Sequence, residues 1–352
     1  SSVRLRFNSG GVRYLNSEGS AYRQPSCAGA VTIAASGYAP DGFRLKSSQP
    51  DDFCLALDAP DIGKLLARAD KIGRDLVRMS KSEPIKAYIG PVLFEEDAAG
   101  KFFETLLVNN LANPREVWIE KSRWSSESVF RRAGELVERL GMRVLPPFLN
   151  VVDDPSARYH EGVPLSGFYE VDDEGVPARK IKLVARGKLS EYYMSRAATR
   201  DFKKSNGHGR GDFSEYPAGS PSNVFILPED NPARVVPMPE LKKKFLDLCR
   251  EVELEYCLLV KSLNSLYESF SAWKVYLDGR EEPVHGIEFT GAGLRALRDI
   301  TAVSMETYVY NLSWSTPGTI VTPSILVAEM EIKKTEEKPE KKPYLGHPYF
   351  AK

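Results

Sequence analysis

Apolar positions follow a helical period over one long stretch of this chain and a strand period, or short continuous runs, over most of the rest. From 59 to 80, Ile62, Leu65, Leu66, Ala69, Ile72, Leu76 and Met79 fall on one helical face. Asp61 stands at the N-cap position and Pro84 follows the end. Three further stretches read as helices: 98–111 with Asp97 as cap, 129–140 closed by Gly141, and 242–263. The segment 1–57 reads as short strands, with Gly10-Gly11 as a turn between 4–7 and 12–15. A turn cluster at 16–20, a strand at 28–35 and a hairpin turn at Asp41-Gly42 follow. Residues 88–94 are apolar but contain Gly90-Pro91, which predicts an edge strand. Other strands are expected at 144–147, 148–152, 167–171, 179–185 and 189–194, with Gly187 turning between the last two. More follow at 272–277 and 284–289 around Asp278-Gly279, and at 325–332, while 113–128 is polar and irregular and 294–308 mixed. Runs of strands with a few long helices predict an α+β fold built on mixed or antiparallel sheets.

Composition narrows the class. The 352 residues suggest two domains, and a 42% hydrophobic content is enough to fill their cores. Lys plus Arg and Asp plus Glu number 48 each, a balance that argues against a nucleic-acid partner held by phosphate neutralisation. No uncharged apolar run reaches about 18 residues, so no membrane span is expected. The chain opens in a strand-like run without Met, which suggests that sequence lies upstream, and any targeting signal with it. The segment from Lys333, rich in Lys, Glu and Pro, reads as an exposed tail.

Candidate chemistry is sparse. Cys27, Cys54, Cys249 and Cys257 form no metal spacing and read as buried or idle thiols, in keeping with a reducing, cytoplasmic setting. His160, His208, His285 and His347 include no helical pair, and His160-Glu161 runs at once into Gly162, so it reads as a surface loop. No G-x-S-x-G elbow is present. Two dense polar clusters stand out. Ser205-Asn206-Gly207-His208-Gly209-Arg210 offers an acid–base imidazole and a guanidinium able to clamp a carboxylate, or else a hydrogen-bonded structural loop. Asp172-Asp173-Glu174, followed by Gly175 and Arg179, reads as a solvated turn with Arg179 pairing one carboxylate, or as a hard-cation site.

The order of these clusters resembles the TldD/PmbA family, a bacterial peptidase-related family also described as modulators of DNA gyrase. The resemblance rests on Ala87-Tyr88-Ile89-Gly90-Pro91-Val92-Leu93-Phe94, Arg143-Val144-Leu145-Pro146 and Val151-Val152-Asp153-Asp154-Pro155. It continues through the two polar clusters, Met194-Ser195-Arg196, Asp278-Gly279-Arg280-Glu281-Glu282 and Pro323-Ser324-Ile325-Leu326, so that it covers 85–332. It implies that 1–82 is the end of the family's amino-terminal α/β domain, 83–335 the carboxy-terminal domain and 336–352 the tail.

Proteolytic members of that family carry H-E-x-x-x-H on a helix, two zinc ligands and a general base. By resemblance those positions fall on Glu104, Thr105 and Asn109, and the family's late cysteine ligand has no counterpart in 317–329. The resemblance therefore implies a member without its zinc motif, with no cofactor expected. It binds peptide or unfolded polypeptide or supports a peptidase partner, as a homodimer or as a heterodimer with a motif-bearing relative. Peptide-binding candidates are Asp172, Asp173, Glu174, Arg179, Ser205, Asn206, His208 and Arg210. The alternatives are an active peptidase with a non-standard site or a partner's motif, and a purely structural assembly subunit.

Overall fold

The computed structural model describes residues 1–53, 59–111, 134–197, 203–211, 217–263, 266, 270–312 and 316–335. The expected features at 113–133 and 336–352, with Cys54 and His347, lie outside these residues.

The chain starts with a three-stranded antiparallel sheet, β1 (Ser2–Leu15), β2 (Ala21–Tyr38) and β3 (Arg44–Phe53). Gly10 and Gly11 do not turn; they pair with Ser26 and Pro25 inside a continuous ladder. The real turn is 16–20, where the Asn16 carboxamide oxygen accepts from the amides of Glu18 and Ser20 and Gly19 takes φ +88°. Helix α1 (Ile62–Met79) forms as its periodicity predicts, capped by the Asp61 carboxylate on the Lys64 amide, and packs on β2 and β3.

The remaining elements are β4 (Glu83–Pro84), β5 (Tyr88–Phe94), α2 (Glu96–Leu106), β6 (Leu149–Asp153), β7 (Tyr159–His160) and β8 (Val163–Pro164). There follow β9 (Ile181–Ala185), β10 (Lys188–Leu189), β11 (Gly209–Arg210), β12 (Ala218–Gly219), β13 (Asn223–Pro228), β14 (Val235–Val236) and α3 (Met238–Glu251). The chain ends through β15 (Tyr256–Val260), β16 (Phe270–Tyr276), β17 (Glu281–Thr290), α4 (Leu294–Arg298), β18 (Ile300–Leu312) and β19 (Gly318–Lys334). A 12-stranded sheet joins most of them, and because β19 pairs with both β5 and β17, the path β19-β5-β15-β16-β17 closes on itself. The main core, with Phe94, Phe102, Phe103 and Leu258, lies between this sheet and α2; a second cluster around Phe245, Trp273 and Leu93 lies under α3.

The α+β expectation holds, with several local corrections. Residues 88–94 form a central strand, with β19 on one side and β15 on the other. Pro91 fits because the β19 ladder breaks between Val327 and Met330, and β15 begins its pairing only at Val92. The stretch 242–263 divides into α3 and β15 through Glu253 at φ +56°. Its apolar run 256–260 is a buried strand rather than more helix. Asp97 is not the α2 cap; Glu95 is, and Asp97 lies in the first turn. The part of 129–140 that is described forms turns, and at 144–147, 167–171 and 190–194 only isolated bridges or irregular backbone occur. Cys249 and Cys257, expected as idle thiols, form a disulfide across the α3–β15 turn, whereas Cys27 is free.

Candidate functional site

A short polar stripe on α2 faces a cleft of about 1020 Å³. Asp97, Lys101 and Glu104 line it, spaced four and three residues apart, so a helix stacks them on one face. The opposite wall is 307–311 of β18, with Tyr308 and Tyr310. Thr32, Ser48, Pro50 and Asp52 of the amino-terminal sheet form the third wall, joined by Lys64 and Arg68 of α1. The β7–β8 hairpin contributes Tyr159 and His160. His160 is thus no free loop residue: it is half-buried and its Nε2 lies 2.8 Å from the Thr307 hydroxyl.

The charged groups of α2 and of the amino-terminal sheet that line the cleft have partners. Lys101 Nζ lies 2.9 Å from Glu104 Oε2, and the Tyr310 hydroxyl donates to the same oxygen at 2.8 Å. Arg68 pairs with the buried Asp51 at 2.8 Å. Asp52 accepts from the Asn311 amide at 3.0 Å, and Asp97 from the Tyr308 hydroxyl. Burial pushes both carboxyls above their ordinary value, against the lowering effect of those hydrogen bonds and of Arg68. Burial and the neighbouring carboxylates raise Tyr308 and Tyr310, which stay neutral donors.

Beside the cleft runs an available backbone edge. β18 pairs with β19 along 307–312, but on its other side β14 covers only Val303 and Ser304. Among the described residues no strand pairs with that second edge from 305 to 311.

Of the residues that the resemblance places at the zinc motif, only Glu104 lines the cleft. Glu104 is engaged by an ammonium that repels a dication, Thr105 is half-buried, Asn109 is exposed, and neither of the latter two lines the cleft. No three His, Cys, Asp or Glu among the described residues stand together as a metal set.

The two polar clusters found in the sequence come together elsewhere, as one internal network. His208 Nε2 lies 3.3 Å from Asp153 Oδ1, both groups fully buried. The Ser222 hydroxyl and amide both donate to the Asp153 carboxylate, the amide at 2.9 Å. Burial pushes Asp153 up, but His208 and Ser222 outweigh it and hold the carboxyl below the ordinary range. Asp172 accepts from the amides of Glu174, Val176 and Gly209 at 3.0, 2.8 and 2.9 Å, and Asp173 from the Gly211 amide at 2.9 Å. Asn206 bonds Met194 and Tyr192, and Ser205 bonds the Met194 carbonyl. Glu174 accepts from the Arg196 amide. Arg210 is buried, donates to the carbonyls of Pro221 and Pro317, and sits 4.6 Å from the Tyr169 ring centre. Arg179 is exposed and pairs with no carboxylate of the turn. The network also seats the β1–β2 hairpin: the Tyr14 and Tyr22 hydroxyls donate to the carbonyls of Glu174 and Asp172 at 3.1 and 2.9 Å.

A third cluster links the sheets. His285 of β17 lies between the Ser82 hydroxyl at 2.7 Å and Asp41 at 3.0 Å, with Phe43 stacked on its ring. Ser82 is buried, so this is a tie and not an exposed nucleophile.

Asp52, Lys101, Tyr308 and Tyr310 do not stand out in the sequence as site residues. The signals present were the polar i, i+4, i+7 stripe of α2 and the Tyr-x-Tyr alternation of β18.

Residues 87–334 match the family described as the PmbA/TldA metallopeptidase C-terminal domain, and the chain belongs to that PmbA/TldD family. A protein named Metalloprotease MJ0996 from Methanocaldococcus jannaschii is 29% identical over 155 residues, which cover 44% of this chain and 30% of that protein. The fold is similar to that of TldE from Thermococcus kodakarensis, with a TM-score of 0.62, 19% identity, and coverage of 92% of this chain and 66% of that one. It is also similar to TM0727 of Thermotoga maritima, named for a candidate role as modulator of a DNA gyrase. There the TM-score is 0.67 at 17% identity, covering 94% of this chain and 68% of that one. The two solved structures show the likeness of fold alone. No helix among the described residues is long and apolar enough to cross a membrane.

Proposed function

We propose that this chain is a non-hydrolysing member of the PmbA/TldD family that holds an extended peptide in the α2–β18 cleft and supports a motif-bearing partner chain. The observation that carries this reading is the edge of β18 beside the cleft, with which no strand pairs among the described residues. An extended peptide adds to such an edge through backbone hydrogen bonds, largely independent of sequence. The polar faces of α2 and the amino-terminal sheet then meet its side chains. Lys101 on Glu104 and the residue types at Thr105 and Asn109 argue against a resident zinc. The internal network around Asp172 and His208 supports the cleft wall by seating the β1–β2 hairpin, and contact with peptide is assigned to the cleft.

The test has two arms. Purified chain is assayed for metal content and for cleavage of casein with and without EDTA; stoichiometric zinc with EDTA-sensitive cleavage overturns the non-hydrolysing assignment. Fluorescence anisotropy then measures binding of a labelled unfolded casein fragment. Asp97→Lys, placed in the cleft wall, is expected to weaken binding about tenfold or more. Unchanged affinity in a folded Asp97→Lys variant overturns the placement of the peptide.

A further inference from the structure

We infer that the outer edge of β1 is a second docking surface, distinct from the edge of β18, for an extended acidic segment of a partner protein in which apolar and acidic residues alternate. β1 pairs with β2 on one side only, and among the described residues no strand pairs with its other edge along Ser2–Leu15. Native sheets usually blunt such an edge with short length, proline, a bulge or cover. β1 is 14 residues long and runs in unbroken register.

The two faces of the edge differ in chemistry. Val3 and Leu5 lie directly opposite the buried Ile33 and Val31, and Phe7 opposite Gly29. Helix α1 covers β2 and β3 but leaves Val3 71%, Leu5 68% and Phe7 44% exposed. An apolar stripe therefore continues from the buried face of the sheet to its open edge. Arg4 and Arg6 alternate with these residues and point to the other face. Neither makes an ion pair among the described residues. Strands β1 and β2 carry Arg4, Arg6, Arg13 and Arg23 and no carboxylate; the one acid of the hairpin, Glu18, is in the turn and pairs with Arg196.

Charge decides the occupant. A strand added to β1 sets its own alternate side chains beside Val3, Leu5 and Phe7 on one face and beside Arg4 and Arg6 on the other. Apolar residues suit the first face and carboxylates the second. A second copy of this chain, paired antiparallel about Leu5, instead sets arginine beside arginine, which is unfavourable across strands.

The probe is a labelled peptide of alternating Val and Glu, measured by anisotropy against a Ser-Glu peptide of equal charge and a Val-Lys peptide. The Val-Glu peptide is expected to bind about tenfold more tightly than either control. R4E/R6E is expected to lose about tenfold in affinity for it and to gain affinity for Val-Lys, a reversal that an unfolded variant does not show. Because Arg4 and Arg6 share a face of the sheet with Thr32, Pro50 and Asp52 of the cleft wall, the two sites are separated with Asp97→Lys instead: that variant should keep its affinity for the Val-Glu peptide, and a parallel loss of Val-Glu binding overturns the inference. Equal binding of the Ser-Glu peptide, or indifference to R4E/R6E, overturns the inference. So does concentration-dependent self-association in sedimentation that R4E/R6E alters, because a second copy then occupies the edge.

Discussion

Asp153 holds its charge with no exposed surface, because His208 and two donors from Ser222 face it. Its folded pKa lies below the ordinary carboxyl value. The stability it contributes is therefore complete above the unfolded Asp range and is lost as pH falls through the folded value. Asp153→Asn replaces the carboxylate that accepts from the Ser222 hydroxyl and amide with a carboxamide, which turns one acceptor into a donor, and is expected to cost about 1–3 kcal/mol at neutral pH. It should also flatten the acid side of the stability profile, read by urea unfolding from neutral pH down to the acid limit. An equally steep acid limb in the variant refutes the assignment. Asp97 has the opposite sign. Burial raises it, so its contribution to stability improves as pH falls through that raised value. Asp97→Asn keeps an acceptor for Tyr308 and is expected to raise Tm at neutral pH while weakening peptide binding; a lowered Tm contradicts it. The dense clusters at 172–179 and 205–210 were legible in the sequence as special. Their inward direction was not, since the same residue types serve an exposed loop or a buried network. Only the distant partners Asp153, Ser222 and Tyr169 decide between the two.

At the scale of elements, helix α2 meets β18 through Gly100. A Cβ there lies 2.3 Å from the Tyr310 ring, near the root of the side chain where little movement is available. Helix propensity alone favours Gly100→Ala by about 1 kcal/mol. Overpacking costs about 1–3 kcal/mol and also displaces the hydroxyl that serves Glu104. The net expectation is a lower Tm and weaker peptide binding, checked by calorimetry and anisotropy; a stabilised variant shows that the interface yields. The α3–β15 turn gives a second check. Thiol titration of the unfolded, unreduced protein should find at least two fewer thiols than the four in the sequence, and all four after reduction. Four thiols without reduction mean the bridge does not form. The amphipathic α1 was legible because one face alone is buried. β15 was not, since a strand buried on both faces shows an apolar run with no period, and after a helix it reads as more helix. Pro91 misled for a related reason: the missing N–H falls where a bulge in a distant strand has already broken the ladder.

The molecule as a whole makes its cleft from parts far apart in sequence: Asn311 of β18 bonds Asp52 of β3, and His285 of β17 ties Asp41 and Ser82. No local pattern encodes such pairings, whereas the family's ordered clusters did point to the fold. The cleft also depends on how the β1–β2 hairpin is held. One end of its sheet is clasped by α1 and the His285 tie, and the hairpin tip rests on the Asp172 turn through two tyrosine hydroxyls. Tyr14 and Tyr22 stack at 5.0 Å, so removal of the hydroxyls alone leaves the rings packed and isolates the hydrogen bonds. Each such bond contributes about 1 kcal/mol. The double change Tyr14→Phe with Tyr22→Phe should speed amide exchange along β1 and β2 by roughly tenfold or more, with β5 and β19 unaffected. Because the same sheet supplies Thr32, Pro50 and Asp52 to the cleft, casein affinity should fall with it. Faster hairpin exchange with unchanged casein affinity separates the sheet from the site and leaves α2 and β18 as the binding walls. Unchanged exchange means the tip is held by packing rather than by these two bonds.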